Sequence, residues 1–160
     1  MNKILLFDWG NTIMVDFKLP GPMYTWETVA WVAGAENAMK KISGNVCCIV
    51  TNAGESDSDA VRKALSRIGA DIYFPYIFTS WDIGFKKPDI RFFQSIIRKF
   101  NLNSDDFIMI GDNYKKDIGG ARSSGMKAIL FNPENKKGPF PHADCVITDM
   151  NQLPAIIERL

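Results

Sequence analysis

A chain of 160 residues with 46% apolar content is long enough to bury one core without staples, and too apolar to be disordered. Its formal charge of +1 excludes the broad basic face expected of a protein that rides nucleic acid or an anionic membrane. No run approaches the ~20 apolar residues of a membrane helix. Cys47, Cys48 and Cys145 are odd in number, and two of them are adjacent inside an apolar run, which does not fit a disulfide framework. His142 is the one histidine, so neither a His-centred triad nor a zinc site is expected. Asp8 interrupts the N-terminal apolar stretch too early for a signal peptide, and a reduced cytoplasmic protein is the expectation.

The first apolar run, Ile4-Leu5-Leu6-Phe7, predicts a strand buried on both faces. It stops at Asp8-Trp9-Gly10-Asn11-Thr12. Residues 13–33 lack a clear period, and Pro20-Gly21-Pro22 breaks them. A short helix is predicted over residues 35–42, then a buried strand over 46–50 that ends in Thr51-Asn52. Ser56 and Asp57 are N-cap candidates for a helix reaching about Ile68. Residues 76–79 predict a third strand, followed by Lys86-Lys87-Pro88. Pro88 suits the first position of a helix with Phe92, Phe93, Ile96, Ile97 and Phe100 on its apolar face. A fourth strand over 107–110 ends at Gly111-Asp112-Asn113, and a helix over about 115–124 stops at Gly125. A fifth strand over 127–131, a Pro/Gly/Lys-rich loop over 132–143, a short strand over 145–147 and a closing helix over 152–160 complete the chain. Alternating strands and helices imply right-handed crossovers and a doubly wound, mostly parallel sheet: a single α/β/α domain, residues 1–160.

Four strands end in polar residues: Asp8, Thr51-Asn52, Lys86-Lys87 and Asp112. In a parallel sheet these ends share one edge, where ligands bind. Asp8 reads either as a catalytic or metal-binding acid or as the cap of a tight turn. Two carboxylates with a backbone carbonyl make a hard oxygen site suited to Mg²⁺, and a Lys and a Thr hydroxyl beside it suit phosphoryl oxygens. Asp117 reads either as a first-turn acid that favours the helix dipole or as a support of the metal site.

Taken in order, these residues resemble the four motifs of the haloacid dehalogenase-like superfamily, which is mostly phosphotransferases and phosphatases. Asp8 to Thr12 resembles its Asp-x-Asp-x-Thr motif, Thr51 its second motif, Lys87-Pro88-Asp89 its third, and Gly111-Asp112 with Asp117 its fourth. The resemblance implies a Rossmann-like sheet. It implies Asp8 as the nucleophile that forms an aspartyl-phosphate, Mg²⁺ held by Asp8, the Gly10 carbonyl and Asp112, and Thr51, Asn52 and Lys87 as binders of the phosphoryl group. Asn113 and Asp117 would support the metal. Lys87 is preferred over Lys86, because Pro88 fixes the chain directly after it.

One departure stands out. Gly10 occupies the place of the family's second motif-one Asp, which protonates the leaving group and activates water. Three outcomes follow: substrates whose leaving groups need no proton, such as acyl or aryl phosphates; a substitute acid such as Asn11 through water, Asp16 or Glu27; or a Mg²⁺- and phosphate-binding module without turnover. A small residue here also occurs in the family's phosphonoacetaldehyde hydrolases, but those carry an inserted cap too large for the short spacer between the first two motifs. Short spacers imply no cap, hence an open site for a phosphorylated substrate, small or larger. A second subunit, the substrate or residues 132–143 with Lys136 and Lys137 could cover it, although that loop reads as a solvated connection. A receiver phosphorylated on aspartate shares the sheet and acid site but fits the turn poorly. Trp9 reads either as a substrate-stacking ring or as core; Trp26, Trp31 and Trp81 read as packing; and Met23, Tyr24 and Trp26, if exposed, would mark an interface.

Overall fold

The six apolar runs pair into one sheet of six parallel strands: β1 (Ile4–Phe7), β2 (Val46–Thr51), β3 (Tyr76–Thr79), β4 (Phe107–Gly111), β5 (Lys127–Phe131) and β6 (Cys145–Ile147). The computed structural model describes residues 3–160. The spatial order is β3-β2-β1-β4-β5-β6, with β1 in the middle. Leu6 pairs with Cys48 on one side and Met109 on the other. The order reverses at β1, because the chain winds first toward β3 and then across to β4. This is the topological switch point where doubly wound sheets open a crevice beyond the strand ends.

Successive side chains of β1 alternate between two cores. Leu5 and Phe7 join one cluster, with α1 (Ala35–Ile42), α2 (Ser58–Ser66) and α6 (Leu153–Ile157) over that face. Ile4 and Leu6 join the other, beneath α4 (Ile90–Phe100) and α5 (Gly120–Ser123). All four β1 side chains are buried, each worth roughly 1.5–3 kcal/mol of transfer free energy. Phe92, Phe93 and Ile96 form the buried stripe of α4, as their spacing predicts. Cys47 and Cys48 are buried free thiols inside β2, and burial pushes the Cys47 thiol up to about 12, so both behave as small apolar side chains.

Several boundaries differ from expectation. Of the two N-cap candidates for the second helix, Asp57 is the cap, its side chain accepting from the Ala60 N–H; the helix starts at Ser58 and ends at Ser66, short of Ile68. Pro88 is not the first residue of α4: Asp89 is the N-cap, its carboxylate accepting from the Arg91 N–H, and Ile90 opens the helix. Pro88 instead follows a cis peptide bond. The helix expected over 115–124 is a wide turn, Tyr114–Gly119, running into α5. The closing helix is a tight turn, Met150–Gln152, followed by α6, which ends at Ile157.

Residues 13–33 form a strap held by specific contacts instead of regular structure. Trp31 donates from its ring N–H to the Ile68 carbonyl at 3.0 Å, and Trp26 to the Gly21 carbonyl at 2.9 Å. The Arg67 guanidinium donates to the carbonyls of Tyr24 and Trp26. Met23 and Trp26 are buried, as the packing reading of Trp26 has it, and the exposure that an interface there would require is lacking. Trp81 departs the other way: expected to pack, it is 61% exposed on α3 (Ser80–Ile83). No helix among the described residues is long and apolar enough to cross a membrane.

Candidate active site

The end of β1 delivers Asp8 into the crevice between β2 and β4, with the Asp8 N–H donating to the Ile110 carbonyl at 2.9 Å. Lys87 arrives from beyond β3. Its ammonium donates to Asp8 Oδ1 at 2.8 Å, to Asp117 Oδ1 at 2.7 Å and to the Val50 carbonyl at 2.8 Å. Those three acceptors match the three donors of an ammonium. The Lys87 side chain is 2% exposed, Asp117 1% and Asp8 15%. Burial disfavours the ammonium, yet the Asp8 and Asp117 charges outweigh it and hold Lys87 above the ordinary lysine range. Lys86, the alternative in the sequence, is exposed.

Asn52 positions Lys87: its amide donates to the Lys87 carbonyl and its Oδ1 accepts from the Lys87 N–H, both at 2.8 Å. The Asn52 side chain is therefore engaged by the Lys87 backbone rather than free for a substrate. Asp117 is tied from its other oxygen, which accepts from the Asn113 N–H at 3.0 Å. Its approach to β4 requires Gly111, since a Cβ there would meet Asp117 Oδ2 at 2.3 Å. The Asn113 side chain caps the wide turn by accepting from the Lys116 N–H at 2.9 Å.

Asp112 receives a hydrogen bond from the Thr12 hydroxyl at 3.1 Å. Burial, then the Asp8 charge, pushes Asp112 up to about 7, with the Thr12 bond pulling against them. Burial also pushes Asp117 up to about 6, opposed by Lys87. Burial is the leading cause for both; around them three carboxylates face one ammonium, and ligand oxygens of Asp8, Asp112 and Asp117 lie within 4.8 Å of one another. Since Lys87 and the Asn113 N–H occupy Asp117, the oxygens of Asp8 and Asp112 are the ones left to hold a divalent cation. Among the described residues no hydrogen bond ends on the Gly10 carbonyl, which leaves it as a third oxygen donor. This donor set fits Mg²⁺.

Asp8, Gly10, Thr51, Asn52, Lys87, Asp112, Asn113 and Asp117 all line one cleft of about 370 Å³, so the strand-end residues do converge. Of the three groups weighed as a substitute acid, Asp16 lines this cleft while Asn11 and Glu27 do not. Trp9 is buried in the core, lines the cleft, and its ring N–H is a buried donor without a partner among the described residues. Thr12 closes the first motif, five residues beyond the end of β1, but sequence reasoning assigned it no separate task; its hydroxyl donates to Asp112. Lys116, also at the cleft wall, was hidden among the solvated lysines of its turn.

A family model described as haloacid dehalogenase-like hydrolase matches residues 23–131. That span takes in Thr51, Lys87, Asp112 and Asp117, and leaves Asp8 outside. The glyceraldehyde 3-phosphate phosphatase of Methanothermobacter thermautotrophicus is 34% identical over 101 residues, covering 59% of this chain and 45% of that protein. The protein of the same name from Pyrococcus furiosus is 34% identical over 140 residues, covering 80% and 55% respectively. The chain thus spans about half the length of the curated relatives it matches. Among solved structures, the HAD-hydrolase YfnB from Bacillus subtilis bound to magnesium superposes with a TM-score of 0.80 at 20% identity, covering 98% of each chain. At that identity the likeness concerns the fold.

Two outcomes follow from the charge arrangement. Lys87→Met removes the donor from two buried carboxylates, so it should lower stability by about 3–5 kcal/mol; an unchanged urea midpoint would contradict the arrangement. The second concerns pH. Asp112 and Asp117 keep protons in the folded chain up to about 7 and 6, whereas the unfolded chain loses them near 4. The folded state therefore binds the extra protons, and its stability falls as pH rises through that window. Metal-free protein should melt at a lower temperature at pH 8 than at pH 6, and saturating Mg²⁺ should narrow the gap. A higher melting temperature at pH 8 without metal would be the contrary result.

Proposed function

The chain belongs to the haloacid dehalogenase-like hydrolase family, and on that premise we propose that it is a Mg²⁺-dependent phosphohydrolase that works through Asp8. The observation that carries the reading is the Asp8 carboxylate held at 2.8 Å by a buried ammonium, with Asp112 beside it, at the switch point of the sheet. The names of the relatives, phosphatases of phosphorylated small molecules, support it.

A carboxylate attacks phosphorus only when charge on the phosphoryl oxygens is neutralised. Asp8, Asp112 and the Gly10 carbonyl would hold Mg²⁺, which would supply part of that neutralisation. Lys87 supplies the rest and keeps Asp8 aimed through their 2.8 Å contact; the Thr51 hydroxyl donates to a phosphoryl oxygen. The Asp8 oxygen forms its bond to phosphorus as the bond to the leaving oxygen breaks, and that oxygen keeps the electron pair. Water then attacks phosphorus, inorganic phosphate departs, and the Asp8 carboxylate returns.

The leaving oxygen and the attacking water both need a proton partner that Gly10 does not offer. Asp16 is the group we assign to it. A Cβ built on Gly10 would lie 3.7 Å from the Asp16 Cβ, so the Asp16 carboxyl belongs to the space that a side chain at position 10 would enter. Asp16 is anchored by accepting from the Lys18 N–H at 2.8 Å, and its own N–H is held by Asn11 Oδ1 at 2.9 Å. It protonates the leaving oxygen and then takes the proton of the attacking water. The absence of an acid at Gly10 itself also gives weight to a second reading, a Mg²⁺- and phosphate-binding module on the same fold.

Turnover of acetyl phosphate, p-nitrophenyl phosphate and alkyl phosphates with Mg²⁺ separates the readings. Asp8→Asn should abolish all three, as should chelation of the metal. Asp16→Asn should lower alkyl phosphate turnover by ~10²–10⁴-fold and the two good leaving groups far less. Gly10→Asp in the Asp16→Asn background should restore alkyl turnover, since 3.7 Å is ordinary contact and Gly10 does not occupy the left-handed region. Full activity in Asp8→Asn would sink the mechanism. Mg²⁺ binding by a wild type that turns over none of the substrates would establish the binding module.

A further inference from the structure

The catalytic cleft continues past Lys87 and Lys116 into a groove of about 880 Å³, a size that takes a small organic molecule. Trp81, Phe85, Lys86 and Lys115 also line it. Its charges are unbalanced. Asp89, the acid in its lining, is committed to Arg91 at 2.6 Å. Asp82, next to Trp81, is committed to the Thr79 hydroxyl and the Ser58 N–H, both at 2.8 Å. Glu55 does not line the groove. By contrast, Lys86, Lys115 and Lys116 have no carboxylate partner among the described residues.

The groove also has a flat apolar wall. Trp81 is 61% exposed, yet the turn that carries it is fixed, because Asp82 ties α3 to both the end of β3 and the start of α2. An exposed indole on a fixed turn, beside three unpaired ammoniums, suits a ligand with both a planar or apolar body and negative charge. The +1 charge of the whole chain gives no wider basic field for a polyanion, so the ligand is a small molecule rather than a nucleic acid.

We propose that this groove holds the leaving-group half of a small phosphate ester, and that this half carries a second anionic group, phosphate or carboxylate, with a planar or apolar portion against Trp81. The assignment of the leaving-group half rests on the phosphohydrolase reading above; the groove's preference for a second anion does not. The scissile phosphoryl sits by Asp8, and the second anion meets Lys86 and Lys115, with Lys116 between the two.

The test uses ligands that cannot turn over, measured by calorimetry on the full chain with Mg²⁺: benzylphosphonate, 4-carboxybenzylphosphonate and the matching bisphosphonate. Wild type should bind the two ligands that carry a second anionic group about five- to tenfold more tightly than benzylphosphonate. The surface double variant Lys86→Gln/Lys115→Gln should erase that preference, and Trp81→Ala should weaken all three ligands by about the same factor. Equal binding of the three ligands by wild type overturns the proposal, as does a preference that survives the double variant. A greater gain for the bisphosphonate identifies phosphate as the second group, and a greater gain for the carboxylate identifies a carboxylate. Hydrolysis of p-nitrophenyl phosphate with no anion preference leaves Asp8 standing and removes the groove. Preference without hydrolysis keeps the anion-binding groove and removes the Asp8 mechanism.

Discussion

A buried ammonium among carboxylates is the constraint on which this structure turns. An isolated lysine in the position of Lys87 would be too costly to bury. Here each of its three donors meets an acceptor, and two of those acceptors are charged. The same contacts determine much of the surrounding chain. Asn52 clamps the Lys87 backbone, Gly111 leaves room for Asp117, and the Asn113 N–H holds the far oxygen of Asp117. Such an arrangement is a weak source of net stability, because desolvation offsets most of the attraction. Its consequence is positional: the Lys87 ammonium fixes the orientation of the Asp8 carboxylate.

The sheet topology explains why these groups meet at all. Asp8, Thr51 and Asp112 sit at or just beyond the ends of three neighbouring parallel strands, β1, β2 and β4. Lys87 comes from the connection between the neighbouring β3 and α4 and reaches back beneath them. Burial first, and then the neighbouring Asp8 charge, raises Asp112 and Asp117, and a divalent cation shared by Asp8 and Asp112 would offset that surplus of negative charge. The strap over residues 13–33 then matters in two ways. Its indoles and the Arg67 contacts hold it against α2, and its first residues carry Asp16 to the wall of the cleft.

Much of this was legible in the sequence, for physical reasons. Short, turn-bounded apolar runs such as Leu5-Leu6-Phe7 and Ile108-Met109-Ile110 read as buried strands, and polar residues that end such runs collect on one edge. That logic located Asp8, Thr51, Lys87 and Asp112, and the preference for Lys87 over Lys86 agrees with their opposite burial. Its stated reason was incomplete, because Pro88 lies outside α4 and the Asn52 clamp does the positioning. What stayed hidden depends on contacts distant in sequence. Nothing local distinguishes Trp26, buried by the Arg67 bonds, from Trp81, held out on a tied turn. The wide turn at Tyr114–Gly119 departs from helical spacing without a Pro to announce it. Asp16 was one of three options in the sequence, and of these it is the one that lines the cleft.

The central claim is that Asp8 takes the phosphoryl group onto its own carboxylate. The direct measurement is acid-quenching of the protein during turnover of acetyl phosphate with Mg²⁺, followed by borohydride reduction and peptide mass spectrometry. The account predicts reduction at residue 8, the mark of an acyl phosphate there, and none when acetyl phosphate is left out. Sustained turnover with residue 8 unreduced, or with the mark on another carboxylate, would contradict it.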